Sequence, residues 1–132
     1  MIASAAAISG ISAQYTRVGV AAMNITNQQS RGSLDKPGPA GQLGAYQGSV
    51  VDTVAQTGGG TTAVVRKMVP PIVSAYDPQS IYANADGQVA IPNVDSSRDI
   101  MTMMNAATTY RSNLAVLKTV DQMEREVMHL TA

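Results

Sequence analysis

From Asn93 to Leu130 the chain contains neither glycine nor proline, and this uninterrupted run limits the fold more than any other feature. Pro92 pushes the residue before it out of the α region. Ser96-Ser97-Arg98-Asp99 then offers an N-cap hydroxyl with an acid three residues on, a helix opening. Apolar residues recur at Met103, Ala107, Tyr110, Leu114 and Leu117 in alternating steps of four and three, a seam along one helix face. Two three-residue steps, to Val120 and Met123, break the heptad before Val127 and Leu130 resume it. A three-residue insertion of this kind is a stammer, which overwinds a supercoil locally. The pattern predicts a helix of about 35 residues, roughly 50 Å long at 1.5 Å per residue.

A second long helix is predicted over residues 1–30. Met1, Ser4, Ile8, Ile11, Tyr15, Val18, Ala22 and Ile25 follow alternating steps of three and four, despite Gly10 and Gly19, which cost about 1 kcal/mol each in a helix interior. Arg17 is the only charged side chain in these thirty residues. A solvated helix face normally carries charge. With 132 residues in all and no Phe or Trp, the chain has too little material to bury such a helix alone. Burial against other copies or other subunits is the reading that fits.

Between the helices the texture changes twice. Residues 31–48, with Lys36-Pro37-Gly38-Pro39-Ala40-Gly41, are too densely punctuated for helix or central strand and read as an extended arm. Residues 49–92 read as a small β region. Ser49–Val54 and Thr61–Met68, β-branched runs on either side of Gly58-Gly59-Gly60, predict a hairpin. Ile72–Tyr76 is a further short strand candidate, and Asp86-Gly87 predicts a turn before Val89-Ala90-Ile91. The fold class is thus mainly α with a small β region: helix, arm, β-hairpin region, helix.

Charged residues make up 14% of the chain and balance to zero. That balance favours association and lacks the basic patch a nucleic-acid binder needs. No cysteine is present, which excludes disulfides and thiolate metal sites. The apolar start Met1–Ile8 has no basic n-region, and Ser9, Gly10 and Ser12 interrupt it, so it reads as mature sequence rather than a cleaved signal peptide.

Candidate chemistry is sparse. Gly58-Gly59-Gly60-Thr61-Thr62 lacks the spacing of a phosphate loop and opens no helix, so a hairpin turn is the better reading. Asn84-Ala85-Asp86-Gly87 resembles part of a calcium loop but lacks its later ligands. His129 is the single histidine, with no acid or nucleophile spaced to it. Met101, Met103 and Met104 form an adaptable packing surface. Asp121, Glu124, Arg125 and Glu126 read as a solvated face. No catalytic, cofactor-binding or metal-binding set is predicted.

Two longer stretches carry a family likeness. Tyr76-Asp77-Pro78 followed by Ala83-Asn84-Ala85-Asp86-Gly87-Gln88-Val89-Ala90-Ile91-Pro92-Asn93-Val94, then Met103, Ala106, Tyr110 and Asn113, resembles the bacterial flagellar basal-body rod proteins of the FlgC type. At the N-terminus, Ser9-Gly10-Ile11-Ser12-Ala13-Gln14, Arg17 and Asn24-Ile25-Thr26-Asn27 is similar to the shared start of flagellar axial proteins. The likeness covers roughly residues 8–30 and 70–130. Departures are Ser30-Arg31-Gly32-Ser33 where the family has T-P-G-Y, Thr108 for an arginine, and Arg98 for the first of two acids.

The resemblance implies a structural subunit of the proximal rod, packed helically around the export channel and transmitting torque from the rotor ring. It implies that residues 1–30 and 93–132 pair as one antiparallel coiled-coil domain. The assembly seam would then be Ile8, Ile11, Tyr15, Val18, Ala22 and Ile25, with Asn24 and Asn27, against Met103, Ala107, Tyr110, Asn113, Leu114, Leu117, Val120, Met123 and Val127. Implied partners are other copies, other rod proteins, the adaptor to the membrane rotor ring and the flagellar type III export apparatus. The implied location is the basal body in the periplasmic space, and no cofactor is implied. From the residues alone, a secreted helical hairpin that binds a partner is the alternative; it needs neither the arm nor the segment from Tyr76 to Val94.

Overall fold

The gap-free C-terminal run folds as one helix, α2, over Ser96–Leu130. In the computed structural model, which describes residues 2–34 and 44–130, α1 spans Ile2–Asn27. Its cap differs from the expectation by one residue. Asp95 is the N-cap: its carboxylate accepts the Arg98 N–H at 3.1 Å, and its carbonyl accepts the Asp99 N–H at 3.0 Å. Asp95 thereby satisfies an orphan donor of the first turn, and Ser96 is free to turn sideways, where its hydroxyl donates to Gln28 Oε1.

The two helices run antiparallel. Ser4 shares a groove with Leu117, Gly10 meets Asn113, Gln14 lies by Ala106, and Gln28 holds Ser96. As numbers rise along α1 they fall along α2.

Two two-stranded antiparallel sheets connect them. Strands β1 (Ser49–Ala55) and β2 (Thr61–Lys67) pair from Ser49–Lys67 to Ala55–Thr61. Their turn needs Gly58, Gly59 and Gly60 at φ of 100°, 100° and 95°, a region that only glycine enters without strain. This hairpin lies along α1 with its tip toward the helix start. Ser49 sits on Asn24, Thr53 Oγ1 accepts from Arg17 Nη2 at 3.2 Å, and the Thr61 N–H donates to Ser9 Oγ at 3.1 Å. Glycine at position 60 also permits the approach, since a Cβ there would fall 2.4 Å from Ser9 Oγ.

Strands β3 (Ile72–Tyr76) and β4 (Gln88–Pro92) form the second sheet. Asn84 Oδ1 closes their connection by accepting the N–H groups of Asp86 at 3.0 Å and Gln88 at 2.8 Å, and Gly87 takes φ 72°. Val89, Ala90 and Pro92 on β4 are buried. The expected arm of residues 31–48 is anchored where it is described: Gly32 bridges to Ala90 and Ala45 is buried. Its proline-rich centre, 35–43, lies outside the described residues, as does Met1 of the N-terminal pattern.

Gly19 on α1 has nothing within 4 Å of the place a Cβ would occupy. Gly19→Ala is therefore expected to raise the unfolding free energy of the isolated chain by about 1 kcal/mol, read as a higher urea midpoint with unchanged slope.

A candidate assembly surface over a small, polar helix seam

The strip of α1 that meets α2 has heptad spacing and small or polar side chains. Ala7, Gln14, Ala21 and Asn24 are buried there, with Gly10 and Arg17 half-buried between them. The expected apolar seam lies one residue further on and turns aside. Ile8 is 55% and Tyr15 78% exposed, while Ile11, Val18, Ala22 and Ile25 are half-buried along the edge. Asn27, also half-buried, donates its amide back to the Met23 carbonyl at 2.8 Å.

On α2 the inward positions are Asp99, Met103, Ala106, Tyr110, Asn113, Leu117 and Val120. Asp99 and Ala106 are buried, Tyr110 stays 39% exposed, and the rest are half-buried. This spacing of four and three is unbroken, passing through Asn113 where the apolar pattern steps to Leu114. Ala107, Leu114, Met123 and Val127 are exposed; Ala107 edges a groove with Tyr15 and Val18, and Leu114 one with Ser4. The structure thus joins Met103, Tyr110, Asn113, Leu117 and Val120 to the inner contact and leaves Ala107 and Leu114 at its edge.

The cause is steric. Helices approach closely where side chains are small, and ridges of larger residues are displaced to the flanks. Among the described residues the buried apolar side chains are those of six alanines, Met68, Val89 and Pro92, whereas Ile8, Tyr15, Met23, Met101, Met104 and Leu114 stay exposed. A folded domain ordinarily buries its large aliphatic residues first. Contiguous exposed apolar residues on this scale mark interaction surface.

Beneath that surface lies a polar joint where α1, β1, the arm and α2 meet. Asn24 is fully buried. Its Nδ2 donates to the Ser49 carbonyl at 2.8 Å, and its Oδ1 accepts from the Ser49 N–H at 3.1 Å and the Tyr46 hydroxyl at 3.0 Å. Tyr46 is held in turn by its own N–H, which donates to Ser30 Oγ at 2.8 Å. Asp99 packs against this group from α2. Burial raises its carboxyl above the ordinary carboxylate range, with Asp95 adding to the effect, against a hydrogen bond with Asn24 and the charge of Arg98. Burial likewise raises the Tyr46 phenol, offset by Ser49 and reinforced by the Asp99 charge. Ionising either group inside the joint is disfavoured. The joint ties α1, β1, the arm and α2 together through the Asn24 hydrogen bonds. Tyr46, Ser49 and Asp99 were not among the expected functional residues. α1 carries polar residues along its length, Ser9, Ser12, Gln14, Thr16 and Arg17 as well as Asn24 to Asn27, so no local signal singled them out.

Among the described residues no three His, Asp or Glu side chains gather to hold a metal ion.

A model of the flagellar basal body rod FlgEFG protein C-terminal family matches residues 85–130, the end of the β3–β4 connection, β4 and all of α2. The flagellar basal-body rod protein FlgC of Salmonella typhimurium is 34% identical over 123 residues, covering 92% of this chain and 90% of the relative. FlgC of Escherichia coli O6:H1 is similar to the same degree over the same shares. FlgC of Agrobacterium fabrum is 31% identical over 119 residues, covering 88% of this chain and 84% of the relative.

Proposed function

This chain belongs to the flagellar basal-body rod proteins of the FlgC type, and from that premise we propose how a structural rod subunit of this sequence works. The observation that carries the reading is a partial inversion of α1 and α2: Ala7, Gln14, Ala21, Asn24 and Ala106 take the buried positions, while Ile8, Tyr15, Met23, Met104 and Leu114 stay largely exposed. Such a subunit is completed by its neighbours. Residues 1–30 and 93–132 act as one antiparallel coiled-coil unit, with 49–92 as a β unit laid on it and 31–48 as the arm.

Ile8, Ile11, Tyr15, Val18, Ala22 and Ile25 on one helix, and Ala107, Leu114, Met123 and Val127 on the other, meet other copies and other rod proteins. Asn24, Met103, Tyr110, Asn113, Leu117 and Val120 hold the pair in register, and Asn27 closes the last turn of its own helix. The subunit sits in the proximal rod in the periplasmic space, delivered by the flagellar type III export apparatus. There it surrounds the export channel, meets the adaptor to the rotor ring and carries torque toward the hook. Two long parallel-sided helices suit that load, since axial twist is resisted by side-to-side packing and not by a loop.

Relatedness over nine-tenths of the chain, β units included, favours this over a secreted helical hairpin, which would use only the helices. Deleting the gene is expected to abolish swimming and to leave basal bodies with a membrane ring and no rod under the electron microscope. Normal swimming of the deletion strain would overturn the reading.

A further inference from the structure

The net charge of zero conceals a separation of charge between the two ends of the helix pair. At one end, the hairpin, α1 and the first turns of α2 enclose a cleft of about 360 Å³ into which Arg17, Arg66 and Arg98 converge, with Asp52 and Asp99 beside them. Asp52 is committed to Arg66. Asp99 is buried in the polar joint. Arg17 makes one hydrogen bond, to a neutral threonine, and its Nε is buried with no partner among the described residues. Arg98 is exposed and makes no ion pair among them. Neither guanidinium is ion-paired among the described residues; each has only a longer-range attraction, Arg17 to Asp52 and Arg98 to Asp99.

The other end is the mirror case. Ser4 lies level with Leu117 and Asp121, so α2 continues past the start of α1. Every residue from Asp121 to Leu130 is exposed, a stretch of about 15 Å at 1.5 Å per residue that lines a groove with Ser4 as far as Glu124 and runs on past it. It carries three acids and one arginine, and the arginine is committed to Asp121 at 3.0 Å. Glu124 and Glu126 make no ion pair among the described residues. Met123 and Leu130 accompany them, 60% and 86% exposed.

We propose that the acidic projecting end of α2 of one copy docks at the arginine-lined cleft of a second copy, with Glu124 meeting Arg98 and Arg17. The inference rests on the rod-subunit reading and deepens it by naming a junction. The two patches are different surfaces at opposite ends of the helix pair, so the contact is heterologous and, where its rotation does not close a ring, repeats as an open helical filament. Such a repeat extends an assembly along the helix direction, while the exposed apolar flanks serve contacts from the side. Glu124 and Glu126 lie two positions apart and so point to different sides of α2. Only Glu124 enters the cleft, and Glu126 adds to the attracting field.

The test is a charge exchange on the purified full chain, followed by sedimentation velocity at low and high salt. The wild-type chain is expected to self-associate at low ionic strength and to dissociate as salt screens the attraction. Arg98→Glu alone, and Glu124→Lys/Glu126→Lys alone, are each expected to weaken association by about tenfold or more, because like charges then face one another. An equimolar mixture of the two variants is expected to recover it, since each supplies the end the other has lost. Circular dichroism of each variant should match the wild type, all three positions being exposed; should Arg98→Glu fold poorly, Arg98→Gln is expected to weaken association by a smaller factor, since it removes the attraction without adding a repulsion. A wild-type chain that stays monomeric at low salt, an Arg98→Glu chain that associates normally, or a mixture that recovers nothing would each refute the junction. None of these results bears on the deletion phenotype, which tests the rod reading by itself.

Discussion

Asn24→Ala is expected to lower the unfolding free energy by about 3 kcal/mol, the larger part of what a small domain has to spare. The side chain is completely buried, and one amide satisfies both backbone groups of Ser49 and the Tyr46 hydroxyl. Alanine removes three hydrogen bonds, each worth about 1 kcal/mol net, with water taking up the Ser49 N–H and C=O in the space vacated. Asn24→Asp should be no rescue. It loses the donor to Ser49 and sets a second carboxylate beside Asp99, whose own ionisation burial already opposes. Tyr46→Phe, which removes one of the three bonds, should cost about 1 kcal/mol and serves as the scale. Urea unfolding of the three variants measures all of this. If Asn24→Ala costs less than Tyr46→Phe, the joint does not bind the hairpin to the helices as described. In cells the same change should reduce rod assembly, because β1 would lose its anchor on α1.

The parts of this fold that were legible in the sequence are those governed by local sterics. The absence of Gly and Pro after Asn93 gave α2 its full length, and three consecutive glycines fixed the β1–β2 turn. The helix opening was legible to within one residue: three capping residues stand in a row at 95–97, and only the turn's geometry selects Asp95 over Ser96. The inner strip of α1 was harder. Apolar spacing identifies a stripe with the right period, but it assumes that large residues are the buried ones. In a chain whose helices approach on alanine and glycine, the small stripe wins the close contact, and Ile8 and Tyr15 are left on the flank. The same assumption produced a stammer after Leu117, where Asn113 in fact takes the inner position and the spacing runs on. Long-range partners such as Tyr46 with Asn24, or β3 with β4 across residues 77–87, leave no periodic trace at all.

The second large effect is expected from a single methyl group. Gly32 is buried where the start of the arm crosses its own return. Its N–H donates to the Ala90 carbonyl at 3.0 Å, and its carbonyl accepts the Ala90 N–H at 2.8 Å, so the arm adds a rung to β4. A Cβ at this position would lie 2.2 Å from the Ala45 nitrogen, and 2.5 and 2.7 Å from the carbonyl carbon and Cα of Gly44. All three are backbone atoms, so no rotamer change relieves the clash. Either Gly32 leaves Ala90 and both bonds of the rung are lost, or residues 44 and 45 withdraw. In the second case Tyr46 moves with them, away from Ser30 and from the Asn24 amide that it helps to hold. Overpacking of this kind costs about 1–3 kcal/mol, and the displaced hydrogen bonds add about 1 kcal/mol each, so Gly32→Ala should cost on the order of 4 kcal/mol. The identical substitution at Gly19, which meets open space, should stabilise. A pair of urea titrations therefore tests the sign as well as the size, and swimming assays should show Gly32→Ala as non-motile and Gly19→Ala as folded. Equal stability of Gly32→Ala and wild type would mean that the two ends of the arm do not cross at this point. The coupling from the arm through Tyr46 to the helix joint would then have no physical carrier.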